Sequence, residues 1–338
     1  MEKADLIVLG LGPAGASAAA AAARAGARVV ALDRKKVAGL PVQCAELVPG
    51  PLAVDPSVVR QPVASMLTFV EDDAPDVNAV FPGRMLDRAA FDASLVDEAR
   101  RLGVEVRFDS NILRAGKEGE IHLSNGEIVR APVLIGADGP RSRAGKAIGS
   151  VNTDLVETRQ VTVPLLRAHA ATDIFLSAEI RGGYGWLFPK GNVANLGAGV
   201  APAFRSRLKA IVSRLHMNLQ KEKRVGKEIV STTGGAIPVG GMLKPWGRLG
   251  DTLVLLAGDA AGLANPVSGA GIAAAVHSGR LAGEAAVRRA PEEYEEELED
   301  VYGAALERAL RRRRELMEST MTKSALRRGW IAYPEYWT

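Results

Sequence analysis

Three glycines, Gly10, Gly12 and Gly15, stand in a Gly-Leu-Gly-Pro-Ala-Gly turn after the apolar run Leu6-Ile-Val-Leu9 and before an alanine-rich stretch. Asp33 closes a second apolar run roughly 20 residues further on. This is the order of strand, tight turn, helix and acid that grips a dinucleotide. Gly10 permits the turn, Gly12 lets backbone approach a pyrophosphate, and Gly15 lets the helix pack on the strand. The helix N-terminus then presents unsatisfied N–H groups to the phosphates. Asp33 can accept hydrogen bonds from both ribose hydroxyls and repels a ribose 2′-phosphate, which leaves FAD and NAD both open. Further on, Cys44 and Glu46 sit in Pro41-Val-Gln-Cys44-Ala-Glu46, and Tyr184, Trp186 and Phe188 alternate in sequence. Taken alone, Cys44 reads as a small packed residue and the aromatic alternation as a core stripe. The four histidines are scattered and the single cysteine cannot build a zinc site, so no metal is expected. No serine lies in a nucleophile-elbow context.

The elements that must position these residues follow from periodicity. Residues 6–9 and 28–32 read as buried parallel strands flanking a helix over 14–25 that Gly26 stops, one βαβ unit. Residues 88–102 read as a helix with Phe91, Leu95 and Ala99 on one face and Gly103 at its C-cap. Residues 104–108 are strand-like, and 119–129 suggest a hairpin around Ser124-Asn-Gly126. Val133-Leu-Ile135 is a buried strand running into Gly136-Ala-Asp138-Gly139. Alternation at 160–166 and 174–180 predicts an antiparallel sheet, and 252–256 returns to the buried-strand pattern before a helix over 271–286.

These elements imply an α/β fold. A Rossmann-like domain is discontinuous over 1–60, 84–157 and 250–290, a mixed or antiparallel β-sheet substrate layer takes 61–83 and 158–249, and a helical tail takes 291–338. The net charge of +4 excludes a nucleic-acid binder with one dominant basic field. A lone cysteine permits no intramolecular disulfide, which fits a reducing compartment. The N-terminus shows no signal-peptide pattern, and the apolar stretch at 253–275 is broken by Asp259 and Pro266. A cytoplasmic protein is expected, with peripheral membrane contact open. The acids at 292–297 precede the arginines at 311–314, as a solvated helix would order them. Those arginines and the terminal aromatics Trp330, Tyr333, Tyr336 and Trp337 are a candidate lipid-surface anchor, with a packed tail as the plainer expectation.

Two further motifs, Gly136-Ala-Asp138-Gly139-Pro-Arg-Ser142 and Gly258-Asp259-Ala-Ala-Gly262, each follow a buried strand, and the second leads through Asn265-Pro266 to Gly269-Ala-Gly271-Ile272. With Met85-Leu-Asp-Arg88, the Cys44 and Trp186 segments and Gly234-Gly-Ala-Ile-Pro238, they span nearly the whole chain. The set resembles the geranylgeranyl reductase family of FAD-dependent oxidoreductases, within the flavoprotein class of para-hydroxybenzoate hydroxylase. The resemblance implies FAD, held by Gly10, Gly12, Pro13, Ala14, Gly15, Asp33, Arg34, Cys44, Arg88, Asp138, Gly258, Asp259, Gly269, Gly271 and Ile272. Asp259 is expected at the ribityl–pyrophosphate region and Arg88 at the phosphates. The helix opening at Gly271 and Ile272 is expected at the flavin pyrimidine edge, where its dipole stabilises negative charge. Tyr184, Trp186, Phe188 and Pro266 are expected to wall a cavity for an apolar substrate.

The implied reaction reduces carbon–carbon double bonds of an isoprenoid by hydride transfer from reduced flavin N5, with Cys44, Glu46, Tyr184 and Trp186 as the candidate catalytic set. An isolated alkene is a poor electrophile, so proton delivery and positioning must supply much of the barrier reduction. The alternatives are a monooxygenase of aromatic or polyketide substrates and a flavoprotein that docks a protein partner. No second glycine fingerprint marks the electron donor, which stays open between NAD(P)H and ferredoxin. The chain departs from its relatives in the short stretch after the last flavin motif, which predicts a less enclosed substrate, and in Ala270, where they often carry glutamate.

Overall fold

A computed structural model describes residues 2–116 and 118–338. Its organising element is a six-stranded sheet. The strands run Trp246–Leu249, Thr252–Leu256, Val133–Gly136, Leu6–Leu9, Val29–Leu32 and Glu105–Arg107, and every pair is parallel except the first. The inner strands are buried throughout and almost wholly apolar, sharing one core with the helices Pro13–Arg24 and Ile272–Arg288 and with Ile121, Leu123 and Val129 of a smaller sheet.

The helix Pro13–Arg24 is buried on nearly all sides, as its alanine content predicts. It packs against the helix Ile272–Arg288 at backbone contact. A Cβ on Gly279 or Gly283 would sit 2.1 Å from the carbonyl oxygen of Ala14 or 2.3 Å from that of Ala18. That closeness brings both helix N-termini to one place above the sheet.

The second layer is a larger sheet in the order Ser231–Thr233, Leu155–Pro164, Val193–Val200, Gly185–Lys190, Ala171–Leu176, Ser65–Val70 and Asp76–Asn78, with Ala236–Pro238 also on Leu155–Pro164. It is antiparallel as expected except where Ala171–Leu176 runs parallel to Ser65–Val70. Strand pairing there ends at Leu176, short of the predicted 180, because Ser177 and Ala178 turn to bind the Glu71 carboxylate.

The charged tail differs from a solvated helix. It breaks into Pro291–Leu298, a π-helical turn Glu299–Gly303, Ala304–Glu318 and Lys323–Arg328. Arg312 and Arg313 are buried, since they are needed as donors: Arg312 to the carbonyls of Glu335 and Tyr336, Arg313 to that of Gly182. Trp330 and Tyr336 are core residues, and Tyr333 donates to Asp76, so of the proposed aromatic anchor only Trp337 is exposed. No helix among the described residues is long and apolar enough to cross a membrane.

Candidate active site

Two adjoining cavities of about 390 and 380 Å³ lie between the layers and share Gly12, Pro13, Gln43, Arg88, Gly235, Ala236 and Asp259. The first is mostly apolar, with Met66, Phe81, Tyr184, Trp186, Phe188 and Trp330 in its wall. The second is polar, with Arg34, Lys35, Asp92, Asp138 and Arg141.

At the junction the Gly10 turn meets the first helix. Gly10 has φ +95, and a Cβ on Gly15 would lie 1.8 Å from the Gly10 carbonyl oxygen. Only glycine fits either position. A Cβ on Gly12 meets nothing within 4 Å, so its backbone faces open cavity. The helix beginning at Pro13 has no side-chain cap, and neither has the helix beginning at Ile272. Gly12, Pro13, Ala14, Gly269, Gly271 and Ile272 therefore line the apolar cavity with two uncapped helix ends.

Asp33, Asp138 and Gly258 each have a structural tie within the chain. The Asp33 carboxylate accepts the backbone N–H groups of Leu11 at 2.7 Å and Lys35 at 2.8 Å, and lines neither cavity. It ties the glycine turn to the following loop. Asp138 reaches the edge of the polar cavity, but its carboxylate accepts from Ser142 and from the backbone of Arg143, and so braces the start of the helix Arg143–Ala147. Gly258, at φ +61, packs against Ala14 and Ala275. Pro266 lines a separate pocket of about 30 Å³ behind Tyr184 and Trp186, because the turn held by the Asn265 side chain points Ser268 and Gly269 at the main cavity instead.

Arg88 and Asp259 form the charged floor. Arg88 pairs with Asp92 at 2.9 Å. Burial works against its charge, but the neighbouring Cys44 and Asp92 outweigh it and raise its pKa. Asp259 lines both cavities, and no protein hydrogen bond reaches its carboxylate among the described residues. Its remaining surface faces the cavity. Burial raises its pKa to about 6, an effect that Arg88 opposes.

The four candidate catalytic side chains come together in the apolar cavity, in unequal states. Glu46 is buried at φ 69, and both carboxylate oxygens accept from Lys190 Nζ at 2.8 Å, with Asn195 at 2.9 Å and the Arg88 N–H at 3.2 Å. A carboxylate so occupied anchors the segment through charge-assisted hydrogen bonds. Tyr184 already gives its hydroxyl proton to the Ser268 carbonyl at 2.6 Å, and burial raises its pKa. Its ring, with Trp186 at 5.8 Å and Phe188 beyond at 6.1 Å, forms one aromatic wall. Cys44 Sγ accepts the Glu46 N–H at 3.2 Å and lies beside Arg88.

Sequence reasoning missed the residues that hold these in place. Gln160, Asn195 and Gly197 come from two neighbouring strands of the second layer. Their one signal was polarity or smallness at buried strand positions, which means nothing until the partner strands are known.

No family model matches the chain. It is 32% identical to digeranylgeranylglycerophospholipid reductase 2 of Methanosphaera stadtmanae, over 84% of this chain and 77% of that one. It is 30% identical to the digeranylgeranylglycerophospholipid reductase of Methanosarcina mazei, over 91% and 84%. Among solved structures, a geranylgeranyl bacteriochlorophyll reductase-like protein of Thermoplasma acidophilum superposes with a TM-score of 0.82, at 24% identity, over 99% and 98% of the two chains. PqsL of Pseudomonas aeruginosa, a probable FAD-dependent monooxygenase, shares the fold with a TM-score of 0.70 at 16% identity, over 96% and 98%. With 32% and 30% identity over 84% and 91% of its length, the chain belongs to the geranylgeranyl reductase family of FAD-dependent oxidoreductases.

Proposed function

We propose that the chain binds FAD across the two cavities and reduces carbon–carbon double bonds of a prenyl lipid. The observation that carries this reading is the joining, at Arg88 and Asp259, of a polar cradle to an apolar, aromatic-walled cavity. The cradle fits FAD. Gly12 leaves room for a pyrophosphate, an uncapped helix end and the cations Arg34 and Arg88 complement its charge, and Asp259 has acceptor capacity for ribityl hydroxyls. Bound and reduced, the flavin supplies the hydride for one alkene carbon from N5.

The remaining work falls to the chain. The uncapped helix end at Gly271 and Ile272 favours negative charge placed next to it. Trp186, Phe188 and Ile174 hold an alkene by apolar contact and exclude water. The second alkene carbon needs a proton. Glu46 and Tyr184 are committed elsewhere, which leaves Cys44 Sγ–H as the donor facing the cavity. The curated relatives are named for prenyl glycerophospholipids, and the apolar wall here suits the same class of chain.

Anaerobic reduction of the purified flavoprotein, followed by geranylgeranyl lipids, tests this. Flavin reoxidation with a product heavier by two hydrogens per bond is expected. No reoxidation by any prenyl lipid, with oxygen uptake coupled to hydroxylation of an aromatic compound, would establish the monooxygenase instead.

A further inference from the structure

The segment carrying Cys44 has little regular structure of its own, yet side chains and backbone from the second layer fasten it residue by residue. Thr233 donates to the Val42 carbonyl at 2.8 Å, and the Gln43 amide donates to the Gly234 carbonyl at 3.3 Å. Gln160 Nε2 donates to the Cys44 carbonyl at 3.2 Å, and Asn195 Nδ2 to the Ala45 carbonyl at 3.2 Å. Glu46 ends the series in its ion pair with Lys190.

Gln160 differs from the other fasteners because its second amide atom also binds a cavity wall. Its Oε1 accepts the indole N–H of Trp186 at 3.1 Å. The amide orientation is forced, since an indole N–H only donates and a carbonyl only accepts. Gly197 makes the contact geometrically available. It lies opposite Gln160 on one side and opposite Trp186 on the other. A Cβ there would lie 2.4 Å from Trp186 Cζ2, so the indole lies across the glycine toward Gln160.

We infer that Gln160 is a positioning residue, which fixes the spacing between Cys44 and Trp186 and so the place of the alkene between them. The inference rests on the prenyl-reductase reading for its effect on turnover, but the link itself is open to measurement without substrate. Cys44 is the single cysteine of the chain, so thiol labelling reports this segment alone. Gln160 is buried, and among the described residues one hydrogen bond, from its side-chain amide, joins it to the Cys44 segment.

The test compares holoenzyme of wild type, Gln160→Met, Gln160→Glu and Trp186→Phe. Gln160→Met keeps length without hydrogen bonds. Gln160→Glu is nearly isosteric and keeps an acceptor for Trp186 while losing the donor to Cys44. Iodoacetamide alkylation of Cys44 should speed up several-fold, on the order of the loss of one hydrogen bond, in both Gln160 variants and stay near wild type in Trp186→Phe. Single-turnover oxidation of the reduced enzyme by geranylgeraniol should slow roughly 10- to 100-fold in Gln160→Met, with FAD content and geranylgeraniol affinity little changed. Adding Trp186→Phe to Gln160→Met should cost less than the product of the two single losses, because both break the same link. Unchanged alkylation in both Gln160 variants overturns the inference, whatever turnover does. So do rate losses that multiply, or that follow FAD content. If geranylgeraniol fails to oxidise even the wild type while the alkylation pattern holds, the prenyl reading fails and Gln160 stands as the link between Cys44 and Trp186.

Discussion

Asp259 is partly buried, and among the described residues no protein hydrogen bond reaches its carboxylate. Its pKa is raised from 3.8 to about 6, so the folded protein disfavours the ionised form that neutral pH imposes. The stabilisation carried by this proton is complete below about pH 4 and is lost as pH rises through about 6, a difference of about 3 kcal/mol. Flavin-free Asp259→Asn should therefore match the wild type near pH 4 and exceed it by up to that amount above pH 7 in urea denaturation. The same variant should bind FAD about 1–3 kcal/mol more weakly, by equilibrium dialysis. Equal stability of the two proteins at both pH values would remove the burial argument. At Cys44, serine nearly preserves shape, so Cys44→Ser should retain FAD yet reduce turnover sharply. Tyr184→Phe should lose the bond to Ser268 and keep turnover close to wild type, since the hydroxyl proton is already given to that carbonyl.

Among the elements, the pair Pro13–Arg24 and Ile272–Arg288 decides whether a site exists, because it sets two helix ends side by side. Their contact depends on small residues at Gly279 and Gly283. Gly283→Ala adds a Cβ 2.3 Å from the Ala18 oxygen and 2.9 Å from the Ala21 Cβ, with backbone on one side that cannot yield. About 1–3 kcal/mol of destabilisation is expected from overpacking, read as a lower melting temperature. FAD affinity should fall with it as the helix ends separate. An exposed change on the outer face of the same helix, such as Arg280→Ala, should move neither.

For the whole molecule, the last residues matter more than their position suggests. Trp330 packs on Tyr184 with ring centroids 4.8 Å apart, and Trp330 and Ile331 close one side of the apolar cavity. The segment is held over the sheet from outside by Lys323 on Asp72 and Asp73 and by Arg327 on Asp73 and Asp76. These exposed pairs contribute little each, so the apolar contact should dominate. Trp330→Ala is expected to cost about 3–5 kcal/mol and to weaken prenyl-lipid binding, with FAD retained. Lys323→Ala should shift the melting temperature only slightly. A Trp330→Ala protein of unchanged stability would mean that the tail is not part of the core.

The Rossmann-like half of the fold was legible in the sequence because the constraint is local. A glycine turn between a buried strand and an alanine helix is dictated by backbone sterics within a few residues, and Gly10, Gly12, Gly15 and the Asp259 motif each carry that signal in their own neighbourhood. The aromatic alternation at Tyr184, Trp186 and Phe188 was legible for the same reason, since strand period fixes which side chains share a face. What the tertiary structure decided were partnerships across long separations. Asp33 ties the end of its strand to the glycine turn by accepting the backbone N–H of Leu11, 22 residues earlier. Glu46 is anchored because Lys190, remote in sequence, arrives beside it. Arg312 is internal because the chain terminus folds back to offer it carbonyls. Gln160 acquires a role only when strand register sets it across Gly197 from Trp186. A side chain's chemistry depends on what occupies its donors and acceptors, and strand pairing and layer packing decide that occupancy.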